Sequence, residues 1–487
     1  MLNELKREAN LTATENGAAA FCSTHSACLD LFASCGALRT ASEEHIIARF
    51  ARAYAEDRDM TMRILFYMRD IRGGLGERKV FRYALRSLAQ TAPQSVIRNL
   101  PFIAEYGRYD DLLWLLQTPC EDAAVRLIHN QLLADLDSLH NNKHVSLLAK
   151  WLPSVNTSSI ETRACAKYLC RLLGMRQKTY RRSLSLLRAS IDILENRLRC
   201  GNFPRDYTAV PGKAMFKYRR ALLRRDPIHF EKYLQDVRDN HVTMHTSVVY
   251  PYEIVRAAKN ALTLTPEEQL TLDTMWHALP DYTDGRNAIA VIDGSASMTW
   301  SIDNTVSPAD IALSLGIYFA ERNTGHFANH FITFSETPQL VEIRGNTICN
   351  RVRFCDSFNE VANTDLYEVF MLILLTAIRH NLPQSELPEL LYIISDMEFD
   401  CGTVPDKTVF EDAKEKFEEY GYTLPQVVYW NVCARNTQFP VTMDEHGCAL
   451  VSGASPTLFS QMISHELTPY SMMEHVLSSP RYSGICA

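Results

Sequence analysis

Asn287-Ala288-Ile289-Ala290-Val291-Ile292-Asp293-Gly294-Ser295-Ala296-Ser297-Met298 is the stretch that decides the fold. Residues 288–292 are apolar without a break and rich in β-branched side chains, the pattern of a short strand buried on both faces. The run ends on a carboxylate and two hydroxyls at alternate positions, Asp293, Ser295 and Ser297, around Gly294. Ser307-Pro308-Ala309-Asp310 then signals a helix start, and residues 311–319 continue with helical apolar spacing. Strand, polar loop and helix in that order place the oxygens at the carboxyl edge of a parallel sheet, where α/β folds hold ligands.

Working outward, the texture from residue 286 onward alternates between strand and helix. Strands are expected at 288–292, 330–334, 340–343, 391–394, 426–430 and 449–452, with helices at 309–322, 365–380, 409–420 and 456–464. That alternation predicts a doubly wound, mostly parallel sheet. The strand at 391–394 runs into Ser395-Asp396, a second carboxylate at the same edge as Asp293, and Asn363-Thr364-Asp365 precedes a helix start. Asp293, Ser295, Ser297, Thr364 and Asp396 together offer the oxygen donors that a hard divalent cation requires: Mg²⁺, or another such as Mn²⁺ or Ca²⁺.

Upstream, residues 1–275 read as helical almost throughout. Apolar residues recur at helical spacing in 41–52, 61–70, 77–88, 111–116, 123–133, 161–173, 180–199 and 214–223. Short helices joined by brief loops predict a HEAT-type array, although no strict sequence period is present. The turn-rich Pro280-Asp281-Tyr282-Thr283-Asp284-Gly285 is the expected linker, giving a basic α-helical repeat domain over 1–284 and an acidic α/β domain over 285–487.

Charge divides along the same line. Residues 1–250 carry 37 Lys and Arg against 26 Asp and Glu, and residues 251–487 hold the other 13 against 31. Residues 163–225 alone contain 17 basic residues against Asp192, Glu195 and Asp206. Such a split predicts two domains with different partners, the basic one able to meet phosphate. The RNA-contact candidates are Arg72, Arg78, Lys79, Lys150, Arg181, Arg182, Lys213, Lys217, Arg219 and Arg220. Some lie in the loops Arg69-Asp70-Ile71-Arg72-Gly73-Gly74-Leu75-Gly76-Glu77-Arg78-Lys79 and Lys150-Trp151-Leu152-Pro153-Ser154; the others fall on the basic helices. Each loop also has a plain structural explanation, as a helix–helix turn or as an indole anchor followed by a serine cap.

Thirteen scattered cysteines without a CxxC pair, no visible signal sequence, and a longest apolar run of only nine residues (370–378) point to a reduced, cytoplasmic protein with no membrane span. No HExxH, phosphate-binding P-loop, GxSxG or dinucleotide fingerprint is present, so no catalytic role is expected. The alternation of Asp396, Glu398 and Asp400 keeps a metal-dependent nuclease as a lesser alternative. A protein–protein adaptor that binds no RNA is the main one.

The order Asp293-x-Ser295-x-Ser297, then Thr364, then Asp396 resembles the metal-ion-dependent adhesion site of von Willebrand factor A domains. The resemblance implies direct metal contact from Ser295, Ser297 and Thr364, contact largely through water from Asp293 and Asp396, and an open position for a partner's carboxylate. Thr14-Glu15-Asn16-Gly17-Ala18, the glycine-rich loop above, Tyr106-Gly107-Arg108-Tyr109-Asp110-Asp111, Lys150-Trp151-Leu152-Pro153 and Tyr250-Pro251-Tyr252-Glu253 are similar to the TROVE module of Ro-type ribonucleoproteins. Nearly the whole chain is thereby covered, as a divergent branch of TROVE-plus-A-domain proteins. Implied partners are small noncoding or single-stranded RNA on the helical half, and a protein at the A-domain metal site. No individual RNA contact is carried over.

Overall fold

The run that opens the α/β half is a strand, Ala288–Asp293, buried along its entire length. This computed structural model describes every residue except 192, 300–305, 335–336, 359–364, 403, 405–406, 436 and 463–466. In chain order the strands are β1 (Leu11–Ala13), β2 (Ala19–Phe21), β3 (Ala288–Asp293), β4 (His330–Phe334), β5 (Leu340–Glu342), β6 (Leu390–Ser395), β7 (Gln426–Asn431) and β8 (Cys448–Ser452). β1 and β2 form an antiparallel hairpin, while the other six make one sheet in the order β5-β4-β3-β6-β7-β8. Every pair in that sheet is parallel except β4–β5. The chain winds from β3 to one side, then returns to β6 on the other, so the β3–β6 boundary is the topological switch point of a doubly wound sheet.

Side-chain alternation along the strands builds two separate cores. Ile289, Val291, Leu391, Ile393, Val427 and Tyr429 pack with the helices Leu366–His380 and Val409–Glu419. Their neighbours Ala290, Ile292, Tyr392, Ile394, Val428 and Trp430 face the helix Pro308–Arg322 and belong to the same apolar cluster as the helical half. Pro308–Arg322 is buried almost all round because it lies between the sheet and the helix Pro251–Lys259. Its Gly316 has no room for a side chain: a Cβ there would sit 2.1 Å from Cδ1 of Ile292.

The helical half runs from Ala27–Cys35 to Pro266–His277. Helix starts follow local chemistry, with Ser42, Asp57, Ser159 and Thr265 each accepting a backbone N–H as N-cap. Residues 180–199 do not form the single helix expected from their periodicity but two, Gln177–Ser190 and Leu194–Cys200. The break falls at extended Ile191, and the Asn196 amide takes the carbonyls of Arg188 (2.5 Å) and Ile191 (3.0 Å) that a continuous helix would have used. The expected helix at 111–116 is instead a 3₁₀ segment, Tyr109–Leu115; of the one expected at 456–464, residues 463–464 lie outside the described residues and the rest begins as the 3₁₀ segment Pro456–Gln461. Periodicity does not foresee the hairpin β1–β2 or the helices Ile348–Asp356 and Pro469–Leu477.

The α/β half touches both ends of the helical run. At the late end, Lys259 lies 2.9 Å from both Asp310 and Asp356, and Trp276 donates to Glu321 at 2.7 Å. At the early end, Phe21 and Phe439 exchange two backbone hydrogen bonds of 2.8 Å. There too, residues 481–487 pack into the first helices. Arg481 pairs with buried Asp70, Tyr482 donates to Asp70 at 3.1 Å, and the Ala487 N–H meets Asp59 at 2.7 Å. The loop 70–77 is therefore a turn fastened by Asp70, which also accepts Arg72 N–H at 3.0 Å. Among the described residues no helix is long and apolar enough to cross a membrane.

Candidate metal centre and basic groove

Because β3 and β6 are neighbours, Asp293 and Asp396 emerge side by side at the switch point. Asp293 is 1% exposed and held from both sides. Its Oδ1 accepts the Ser295 N–H at 2.8 Å, and its Oδ2 accepts the Ser395 hydroxyl at 2.6 Å. Ser395 also accepts the Met397 N–H at 3.0 Å, so one hydroxyl ties the ends of the two strands together. The loop then makes a short 3₁₀ turn, Ala296–Thr299, that leaves the hydroxyls of Ser295 and Ser297 2.9 Å apart.

Asp396 is 2% exposed and less well satisfied. Its Oδ1 receives a long contact from Glu398 N–H, 3.4 Å, the Ser297 hydroxyl also bonds the carboxyl, and its Oδ2 has no hydrogen-bond partner among the described residues. The Arg435 guanidinium lies 3.2 Å from that oxygen without hydrogen-bond alignment, and 3.3 Å from Glu15. Left-handed Met397 (φ 70°) then reverses the chain. Glu398 beyond it serves the N-terminal segment, accepting Glu15 N–H at 2.8 Å and the Gln438 amide at 2.7 Å, while its carbonyl takes Asn16 at 2.8 Å.

Two carboxylates in so dry a place resist ionisation together. Burial first, then the Asp396 charge, push the Asp293 carboxyl up to about 7, against the hydrogen bonds from Ser395 and Ser295. Burial likewise raises Asp396, opposed by Ser297 and Arg435. Paired buried carboxylates, the adjoining Ser295 and Ser297 hydroxyls and a carboxylate oxygen without a hydrogen bond fit a hard divalent cation, which would remove the repulsion and satisfy that oxygen. Among the described residues no three His, Cys, Asp or Glu side chains converge on a common point. Thr364 lies outside the described residues; next to it, Asp365 caps the helix Leu366–His380 through Glu368 N–H at 3.1 Å.

Of the ten basic candidates, several are already engaged within the chain. Lys150 faces Glu195 at 3.7 Å, Arg220 faces Glu268 at 2.7 Å, and Lys213 pairs with Glu253. Lys79 donates to the carbonyls of Arg39 (3.1 Å) and Ala41 (3.4 Å), and Arg72 to that of Glu105 (3.0 Å). Arg219 lies over the Phe216 ring at 4.4 Å and donates to the Phe216 carbonyl, and Lys217 lies over Tyr218 at 4.8 Å. Arg78 is exposed at a helix start. Trp151 is a half-buried anchor covered by Arg108 at 4.1 Å, and Ser159 caps the next helix.

Arg181 and Arg182 are different. They share a groove of ≈ 680 Å³ with Lys178, Arg188, Arg199 and Asn156. Charge counting alone misses this grouping, although Lys178, Arg181 and Arg182 fall at i, i+3 and i+4 of one helix, which is the signal that could have found it. Arg435 and Ser395 carried no comparable signal.

Fold and site together define a two-part protein: a basic helical run clasped at both ends by a doubly wound α/β half with a cluster of oxygen side chains at its switch point. The chain belongs to the family of a domain of unknown function, DUF2828, whose model matches residues 14–133 and 120–282. A second domain of unknown function, DUF7788, matches residues 287–475. The chain is 30% identical to the uncharacterized protein L728 of Acanthamoeba polyphaga mimivirus, with 96% of this chain and 87% of that one aligned. The crystal structure of the Ro (RSR) protein of Deinococcus radiodurans is similar over 92% of this chain and 93% of that one, at 13% identity and a TM-score of 0.41.

Proposed function

We propose that the protein is a non-catalytic RNA-binding scaffold: the helical half holds RNA through its phosphates, and the α/β half binds a divalent cation and docks a partner. The observation that carries this reading is the separation of charge, 17 basic against three acidic residues over 163–225 with the acidic excess confined to residues 251–487. In this reading the helical half is a HEAT-like, TROVE-type array and the α/β half a von Willebrand factor A-like domain. Ser295, Ser297 and Thr364 would hold the cation directly, with Asp293 and Asp396 behind bound water. The cation would supply a Lewis-acidic open position for a carboxylate of the partner. Ser395 orients Asp293, and the turn at Met397 keeps Glu398 out of the donor set.

The test is affinity for single-stranded RNA over a salt series. Binding should weaken linearly on a log–log plot, with a slope of about −0.7 for each phosphate contacted. Absence of binding at low salt would overturn the RNA reading.

A further inference from the structure

The groove beside the helix Gln177–Ser190 is built before any ligand arrives. Arg188 does the building: it donates Nε to the Ala149 carbonyl (2.7 Å), Nη1 to the Ser154 hydroxyl (2.6 Å) and Nη2 to the Leu152 carbonyl (2.6 Å). Buried Tyr180 donates its hydroxyl to the Pro153 carbonyl at 2.9 Å. These bonds fix residues 149–154 against the helix, and Ser154, Val155 and Asn156 at the end of that segment form the facing wall of the ≈ 680 Å³ groove.

The cations around it are left over. Lys178, Arg181, Arg182 and Arg199 are exposed, and among the described residues none has a carboxylate partner. Among the described residues the groove lining contains no acidic side chain. Elsewhere on the helical half Lys150, Lys213 and Arg220 have each found an acid. Four unpaired cations around one concavity repel one another, and a polyanion lying between them relieves that.

We propose that this groove seats the sugar–phosphate backbone of single-stranded RNA, an inference that rests on the RNA-binding reading and gives it a location. Lys178, Arg181 and Arg182 follow one helix edge, so they meet successive phosphates of a strand running parallel to the helix. Exposed Asn156 and Ser185 add neutral partners suited to a 2′-hydroxyl. Tyr180, the one aromatic ring among the described residues of the lining, is buried with its hydroxyl engaged, so the groove reads backbone rather than stacked bases. A concave channel admits a flexible strand. The convex face of a duplex does not enter it.

The experiment uses the full chain and a fluorescein-labelled oligo-uridylate in an anisotropy titration across salt. R181E/R182E is compared with a control of equal charge change, R126E/K143E, at exposed positions outside the groove. The groove variant should bind at least about tenfold more weakly, with a salt slope shallower by about 1.4 for two lost contacts, and the control should stay close to wild type. K178Q/R199Q should weaken binding in the same direction without reversing any charge. If wild type binds RNA but the groove variants match the control, the location is wrong and the RNA reading stands. If wild type binds no RNA, the RNA reading fails with it. Equal displacement by duplex RNA or by polyglutamate would overturn the single-strand assignment.

Discussion

Replacing Asp111 with alanine is expected to destabilise the protein by about 3–5 kcal/mol, the cost of stranding a buried charge. Asp111 is fully buried and gathers four donors. Arg69, itself 2% exposed, reaches Asp111 Oδ2 through Nε (2.9 Å) and Nη2 (2.8 Å). Arg82 donates to Oδ1 at 2.6 Å, and the Arg108 N–H reaches Oδ2 at 3.1 Å. Alanine removes the acceptor and leaves the Arg69 guanidinium without a counter-charge inside the helical core. The pair also explains the glycine before it, since a Cβ on Gly107 would lie 2.5 Å from Asp111 Oδ2 and 2.8 Å from Arg69 Nε. Urea denaturation followed by circular dichroism measures the effect. A loss below about 1 kcal/mol would mean that Arg69 finds solvent or another partner. The double change Arg69→Met with Asp111→Leu should recover much of the loss, because an apolar pair of similar volume needs no charge compensation.

That ion pair also marks what could be read before the fold was known. The stretches around Arg69, Gly107 and Tyr250 stand out in the sequence, and the structure shows them supporting one another. Tyr250 donates to the Leu75 carbonyl at 3.2 Å, just as Asp111 receives Arg69. The strands β3, β6 and β8 were readable almost to the residue because each is buried along its whole length, which shows as an unbroken apolar run. The adjacency of Asp293 and Asp396 followed from the same signal, since both end such strands. β1 and β2 fall in a stretch that reads as helical, and the contacts that hold this segment, with Phe439 and the loop at 398–400, bridge hundreds of residues. A charge count records composition but not pairing. It could not separate Arg220, whose acid is 48 positions away at Glu268, from Arg181, which has none among the described residues.

Mg²⁺ should stabilise the wild-type protein and do nothing for Asp293→Asn. At a hundredfold excess over the dissociation constant, a ligand that binds only the folded state adds about 2.7 kcal/mol, visible as a rise in melting temperature. The variant keeps the shape of Asp293 but removes one of two carboxylates that burial forces together. Without metal it should therefore melt at or above the wild-type temperature. A residue that merely capped the turn at Ser295 would behave in the opposite way, lowering the metal-free melting temperature and leaving the Mg²⁺ response intact. The pH dependence has a definite sign. Burial and the neighbouring Asp396 charge hold the folded carboxyl well above its ordinary 3.8, so over the pH window this opens the metal-free folded state keeps a proton that the unfolded chain has lost. This group's contribution turns unfavourable as pH rises through that window and stays so above it. A cation binds the deprotonated form, so the Mg²⁺ shift should be larger near pH 8 than near about pH 6. An Asp293→Asn protein that still responds to Mg²⁺ as wild type does would remove the cation from this pocket altogether.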